Sequence, residues 1–173
     1  TGGSDTYVLM SEDFTSSGKV YTSTSGDESA FSISQDSGTT WNQNGLIDTG
    51  ISTIVDLAPS PAYSQDNTLF MLTFGSKHSL WRSLDGAGTW ERVLCSTLPG
   101  IDDMALVQIS PQYGSDSQVV FLAGSSGGNT AVWKSTDGGQ SFIRYHTFDP
   151  DTGNTISIDT WEVFNDNELF IGS

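Results

Sequence analysis

Four aspartates stand where a pair of carboxylates could do chemistry. Asp56, Asp102, Asp103 and Asp159 each lie in or beside a short apolar segment with strand-like character. Cleaving a glycosidic bond takes two carboxyl groups about 5–10 Å apart, one giving a proton and the other acting as base or nucleophile. Asp102 and Asp103 directly precede the apolar segment 104–109, and Asp159 falls within 156–163, two residues before Trp161. If the segments lie side by side, Asp102, Asp103 and Asp159 face a common cleft, with Trp161 as a stacking platform for a sugar ring. The competing reading, which is preferred, makes all four loop or surface residues of an acidic chain.

Other constellations carry less. Asp149-Pro150-Asp151-Thr152-Gly153-Asn154 alternates oxygen ligands as a Ca²⁺ loop does, but lacks the downstream bidentate Glu. A polar turn is the preferred reading, with Asp149 and Asp151 kept as candidate ligands. Ca²⁺ is thus the one ion suggested, and no other cofactor is. His78 and His146 are far apart and have no partner at zinc-ligand spacing. No Gly-x-Ser-x-Gly elbow supports a serine nucleophile. The run Gly124-Ser125-Ser126-Gly127-Gly128 lies between two strand-like segments and opens no helix, so a hairpin loop explains it better than a phosphate cradle. The single cysteine, Cys95, excludes an intrachain disulfide; following Val93-Leu94, it reads as a partly buried structural thiol.

The elements that must hold these residues follow from composition. The chain has 173 residues, 35% hydrophobic and 16% charged, with Gly, Ser, Thr and Asp prominent among the rest. That mix suits many short strands joined by turns and not helices. The net charge of −15, from 21 acidic and 6 basic side chains, repels nucleic acid and anionic membranes. No apolar run reaches the roughly 18 residues of a membrane-spanning helix, and no signal peptide is recognisable.

The chain also repeats itself. Ser34-Gln35-Asp36-Ser37-Gly38-Thr39-Thr40-Trp41, Ser83-Leu84-Asp85-Gly86-Ala87-Gly88-Thr89-Trp90 and Ser135-Thr136-Asp137-Gly138-Gly139-Gln140-Ser141-Phe142 align residue by residue. A second landmark precedes each: Ser11-Glu12-Asp13-Phe14, Ser60-Pro61-Ala62-Tyr63 and Ser110-Pro111-Gln112-Tyr113, with a shortened copy at 163–166. Two landmarks sharing one period of about 50 residues mark a repeat architecture. Each unit reads as four short antiparallel strands. In the second they are about 54–58, 68–73, 79–83 and 89–94; in the third, 104–109, 118–123, 131–135 and 141–146. The fourth holds only 156–163 and 168–172. Four strands in 40–50 residues is the size of one β-propeller blade. The expected fold is therefore all-β, about three and a half blades of a propeller, at about 4–48, 51–98, 101–148 and 154–173. The missing strands are expected from further blades of the same polypeptide, from a second copy, or from association into a fibre, because an open sheet edge seeks pairing.

The pattern Ser-x-Asp-x-Gly-x-Thr-Trp resembles the Asp box, or bacterial neuraminidase repeat, found in sialidases, xyloglucanase-type glycoside hydrolases, sortilin-like receptors and a plant photosystem-assembly factor. The resemblance places the motif in the hairpin between the third and fourth strands, on the outer rim away from any catalytic centre. It implies scaffold roles for Ser34, Asp36, Gly38, Thr40 and Trp41, for Ser83, Asp85, Thr89 and Trp90, and for Ser135, Asp137, Gly139, Ser141 and Phe142. In each turn the Asp carboxylate can accept backbone N–H groups, and Gly supplies a positive φ. The Trp or Phe covers the neighbouring core. Ala87 departs from the pattern, and the flanking Gly86 and Gly88 are expected to keep a slightly altered turn feasible. A sialidase would also need an arginine triad, yet Arg82 precedes a box and Arg92 and Arg144 follow boxes, on the presumed outer strands. The expectation is a non-catalytic, extracellular or cell-surface interaction or structural module, with glycans or surface proteins as partners. The alternatives are part of a glycoside hydrolase completed by missing blades, and a self-assembling layer or filament subunit.

Overall fold

The computed structural model describes residues 5–25, 30–44, 51–95, 100–114, 116–149 and 151–172. The Cys95 side chain and the expected unit limits at 4, 48 and 98 lie outside the described residues.

Three four-stranded antiparallel sheets and one two-stranded sheet follow each other along the chain. The first contains β1 (Asp5–Met10), β2 (Val20–Ser25), β3 (Ala30–Ser34) and β4 (Asn42–Asn44). The second contains β5 (Thr53–Pro59), β6 (Leu69–Phe74), β7 (His78–Ser83) and β8 (Glu91–Cys95). The third contains β9 (Asp103–Ile109), β10 (Val120–Ser126), β11 (Asn129–Ser135) and β12 (Ile143–His146). The fourth pairs β13 (Thr160–Val163) with β14 (Leu169–Gly172). Strand order within each sheet is sequence order, so each is a simple meander.

Burial explains why the second strand of a unit reads as a continuous apolar run. In β6, Leu69 and Met71 pack toward the first sheet and Phe70 and Leu72 toward the third. In β10, Val120 and Leu122 face the second sheet, while Phe121 and Ala123 face the fourth. A strand covered on both faces has no side that can be polar. The sheets therefore stack face to face, and the first strands of neighbouring units touch: β1 with β5 and β5 with β9.

Several strand ends differ from the sequence-based expectation: β10 runs from Val120 to Ser126 and β11 starts at Asn129, and three further starts have a visible cause. β8 and β12 start two residues late, at Glu91 and Ile143. Thr89 and Ser141 are held in the preceding turn by bonds to Asp85 and Asp137. β13 starts at Thr160, because Thr155 pairs with Phe148 and the Ile156 amide donates to Thr147 O, closing a separate small hairpin. The Ser landmark also folds into single helical turns, α1 (Phe14–Ser17) and α2 (Tyr63–Asp66). There the amides of Phe14, Tyr63 and Tyr113 each donate to the landmark Ser carbonyl three residues back.

The two sequence landmarks meet in space. Ser37, Gly86 and Gly138 each donate a backbone N–H to the loop joining the first two strands of their own sheet, at Gly18 O, Asn67 O and Gln118 O, all at 2.9 Å. One backbone bond per unit ties both conspicuous loops together.

Candidate functional site: the inner-strand cleft and the Ser-x-Asp turns

The first strands β5, β9 and β13 line a cleft of about 640 Å³, and Asp56, Asp159, Trp161 and Glu162 are among the residues around it. Two polar side chains of its wall, Asp56 and Gln108, act as staples. Asp56 accepts the Val107 amide at 2.8 Å and its neighbour Leu57 amide at 2.9 Å. Gln108 Oε1 accepts the Val163 amide at 3.1 Å. Each therefore ties one first strand to the next. Burial raises the Asp56 carboxyl above the ordinary aspartate range, and the two amides oppose that shift.

Asp102 and Asp103 do not join this cleft, which corrects the expectation of a shared site with Asp159. They line a separate cavity of about 370 Å³ with Thr53, Phe74 and His78. Asp102 accepts the Gly128 amide at 2.8 Å. Asp103 lies 3.0 Å from His78 Nε2, while the Met104 amide approaches that nitrogen at 3.4 Å. One nitrogen cannot both donate to Asp103 and accept from Met104, and the shorter contact assigns the proton to the Asp103 bond. Burial lowers the His78 pKa, against the pull of Asp103. At neutral pH this is a hydrogen bond to neutral imidazole. Trp161 is also corrected: it is buried in the core between the third and fourth sheets, with Phe121, Val132 and Val163, and offers no open face for a sugar.

Asp149 spends its carboxylate on its own turn, accepting the Asp151 amide at 2.9 Å and the Thr152 hydroxyl at 2.8 Å. The Thr152 hydroxyl is foremost in holding its pKa low. Among the described residues no three His, Cys, Asp or Glu side chains converge as metal ligands. The three arginines also stand apart. Arg82 reaches Glu91 and Gly138 O, Arg92 reaches Ser79, and Arg144 reaches Ser126.

The Ser-x-Asp turns share one geometry. Ser34, Ser83 and Ser135 accept the amides of Gly38, Ala87 and Gly139 at 2.8–2.9 Å. Their hydroxyls donate to Asp36, Asp85 and Asp137 at 2.7–2.9 Å. Those carboxylates accept both the amide and the hydroxyl of Thr40, Thr89 and Ser141. Two consecutive residues take positive φ in each turn: Ser37-Gly38, Gly86-Ala87 and Gly138-Gly139. Ala87 itself, at φ 72°, adopts the left-handed conformation and keeps the same amide bond, so the turn is unaltered, with Gly86 supplying the other positive φ. Its methyl is fully buried against the first sheet, in the cluster containing Tyr21 and Phe31.

The aromatics that end the second and third turns pack on the preceding sheet. Trp90 meets Phe31 edge-on with centroids 5.3 Å apart, and Phe142 packs on the core between the second and third sheets. Trp41 does not follow the expected core role. It is 42% exposed and folds back so that its indole N–H donates to Gly38 O. Among the described residues no sheet lies on that side of the first unit to cover it.

Sequence reasoning missed the bonds that join units. Arg82 donates across to Gly138 O at 3.2 Å, and Lys134, one residue before the matching serine, donates to Asn167 of the fourth unit at 2.9 Å. Asp66 accepts the Ser60 hydroxyl within its own unit, whereas Ser110 and Ser117 donate to Asp166 of the next one. Basic residues one place before the motif serine were the available signal.

The turn carboxylates make the fold acid-sensitive. Burial works against the Asp137 carboxylate, but the Ser141 hydroxyl and amide outweigh it and hold the pKa down to about 2. Asp36 and Asp85 are lowered by the Thr40 hydroxyl and the Thr89 amide, respectively. A folded-state pKa below the unfolded value of about 3.9 stabilises above that value and loses its contribution as pH falls toward 2. Asp137→Asn is expected to lower stability at pH 7 by on the order of 1–2 kcal/mol and to flatten the loss between pH 4 and 2. Urea titrations at a series of pH values check both.

No family model and no curated protein matches the chain. Solved structures do. The GH74 xyloglucanase from Xanthomonas campestris aligns over 82% of this chain and 22% of its own, with TM-score 0.57 and 18% identity. YCF48 bound to D1 peptide aligns over 72% of this chain and 35% of its own, with TM-score 0.50 and 15% identity. The K499G mutant of NanB sialidase from Streptococcus pneumoniae covers 82% and 21%, with TM-score 0.47 and 19% identity. The chain thus spans about a fifth to a third of the structures it resembles. At these identities the likeness speaks for the fold alone: stacked antiparallel meanders with adjoining first strands, a segment of a β-propeller.

Proposed function

We propose that this chain is a non-catalytic interaction and structural module built from Asp-box blades and working outside the cell or at its surface. The observation that carries the reading is a series of equivalent positions. Tyr21, Phe70 and Phe121 are 1%, 0% and 3% exposed, each buried against the following sheet, while Phe170 at the matching place in the fourth sheet is 64% exposed. Val8 and Met10 are similarly exposed on the outer face of the first sheet. Three internal interfaces thus define what each outer face is suited to hold: another blade, from the same polypeptide or a second copy. The Asp56 carboxylate, spent on the Val107 amide of the next first strand, supports the non-catalytic part. Glycans or surface proteins would be the further partners, and a peptide-bound propeller such as YCF48 is consistent with protein contact.

Mass in solution tests this. At about 0.15 M salt, where exposed charges of an acidic chain are largely screened, the protein is expected to exceed its 18.5 kDa monomer mass by light scattering. Phe170→Ser and Met10→Ser should each shift it toward monomer. A monodisperse monomer that unfolds cooperatively would overturn the proposal.

A further inference from the structure

The second sheet holds a small cavity that breaks the acidic character of the chain. Thr73, Gly75, Ser76, Lys77, Ser79 and Arg92 line about 100 Å³ beside the β6–β7 turn. Only six side chains of the protein are basic against 21 acidic, yet two of the six share this cavity, and no acidic side chain is among its described lining residues. Among the described residues, neither the Arg82–Glu91 ion pair nor the His78–Asp103 contact includes Lys77 or Arg92. Two cations around so small a space repel, and a bound anion relieves that repulsion.

Arg92 is held in position before any ligand arrives. Its guanidinium lies 5.4 Å from the Trp81 ring centroid, and Nε and Nη2 donate to Ser79 Oγ at 3.0 and 2.5 Å. The Trp81 indole N–H is fixed in turn by Thr73 Oγ1 at 2.9 Å. The remaining guanidinium N–H groups are not used within the described chain, and the Ser79 hydroxyl, acting as acceptor from Arg92, keeps its own proton to donate. A cavity of this volume holds roughly three waters at about 30 Å³ each, the size of a carboxylate, sulfate or phosphate group.

The arginine opposite a tryptophan recurs in the third sheet, but the lysine beside it does not. Arg144 occupies the matching place in the third sheet, opposite Trp133 as Arg92 is opposite Trp81. It bonds to Ser126, which donates to Gly100 O, and the turn beside it is Gly127-Gly128, without a lysine. The first sheet has Gln43 there, opposite Ser32. Arg92 thus has a counterpart in Arg144, and Lys77 with the cavity beside it is what the second unit adds.

We infer that this cavity binds a small oxyanion, free or carried on a larger ligand, through the Arg92 guanidinium, the Lys77 ammonium and the Ser79 hydroxyl. The inference is independent of how the sheets associate. The test is amide NMR titration of the protein with sodium acetate, sulfate and phosphate in turn, at constant ionic strength. Saturable shifts confined to Ser76, Lys77, Ser79 and Arg92 are expected for at least one anion, with affinity at least ~10-fold weaker in Lys77→Gln and Arg92→Gln; ~10-fold corresponds to about 1.4 kcal/mol. Tighter acetate binding assigns a carboxylate ligand, and tighter sulfate or phosphate binding a tetrahedral one. Lys77 lies on an exposed turn, so its variant remains informative if Arg92→Gln disturbs packing on Trp81. Linear, unsaturable shifts with all three anions, or undiminished binding in Lys77→Gln, would overturn the assignment.

Discussion

Replacing Gly124 with alanine is expected to destabilise the protein by about 3 kcal/mol or more, at the upper end of overpacking effects. A Cβ at this place in β10 would lie 2.1 Å from Asp103 O and 2.8 Å from Asp103 C and Met104 Cα. These are backbone atoms of β9, where the pairing register shifts between Ala123 and Gly124. No side-chain rotation relieves such a clash, so β9 has to move, and it lines the cleft and packs on β5. For a chain of this length the loss corresponds to a fall in Tm of roughly 10 °C, measured by circular dichroism. A variant within 2 °C of the parent would contradict the close strand approach.

Phe70→Ala is expected to cost about 3–5 kcal/mol, the range for emptying a large aromatic site in a packed core. Phe70 is fully buried between the second and third sheets and meets Tyr113 edge-on with centroids 5.9 Å apart. Its ring also supports the third turn, since a Cβ on Gly139 would lie 3.4 Å from it. The matching substitution in the fourth sheet, Phe170→Ala, should change stability by no more than about 0.5 kcal/mol in the monomer, because that ring is already exposed. At protein concentrations low enough for the parent to be monomeric, the urea midpoint should move far for the first and little for the second, with the slope nearly unchanged. Equal effects would show that the two positions are not the buried and open versions of one interface.

What was legible in the sequence was what the chain does locally. A Ser-x-Asp turn closes on its own seven residues, as in Ser34 to Thr40, so its residue types recur wherever it does, and the strands between them read from apolar runs such as 69–72. What was hidden depends on the neighbouring sheet. Asp56 looks like a free carboxylate until β9 brings the Val107 amide to it. Trp161 looks like a platform until the third sheet covers it, and Trp41 looks like its partners Trp90 and Phe142 until no sheet does. Gly124 gave no repeat signal, because Thr73 fills the matching place in β6 and uses its hydroxyl to accept from Trp81. The short helical turns α1 and α2 were missed for a different reason: four residues are too few to show a helical period.

Asp56 and Asp103 bond to the neighbouring sheet, and none of the inner-strand carboxylates is expected to cleave glycans. Hydrolysis of a broad glycan panel, with Asp103→Asn and Asp159→Asn as controls, tests this most directly. No release of reducing sugar above background is expected, with the same background from both variants. Turnover by the parent that either substitution abolishes would contradict it.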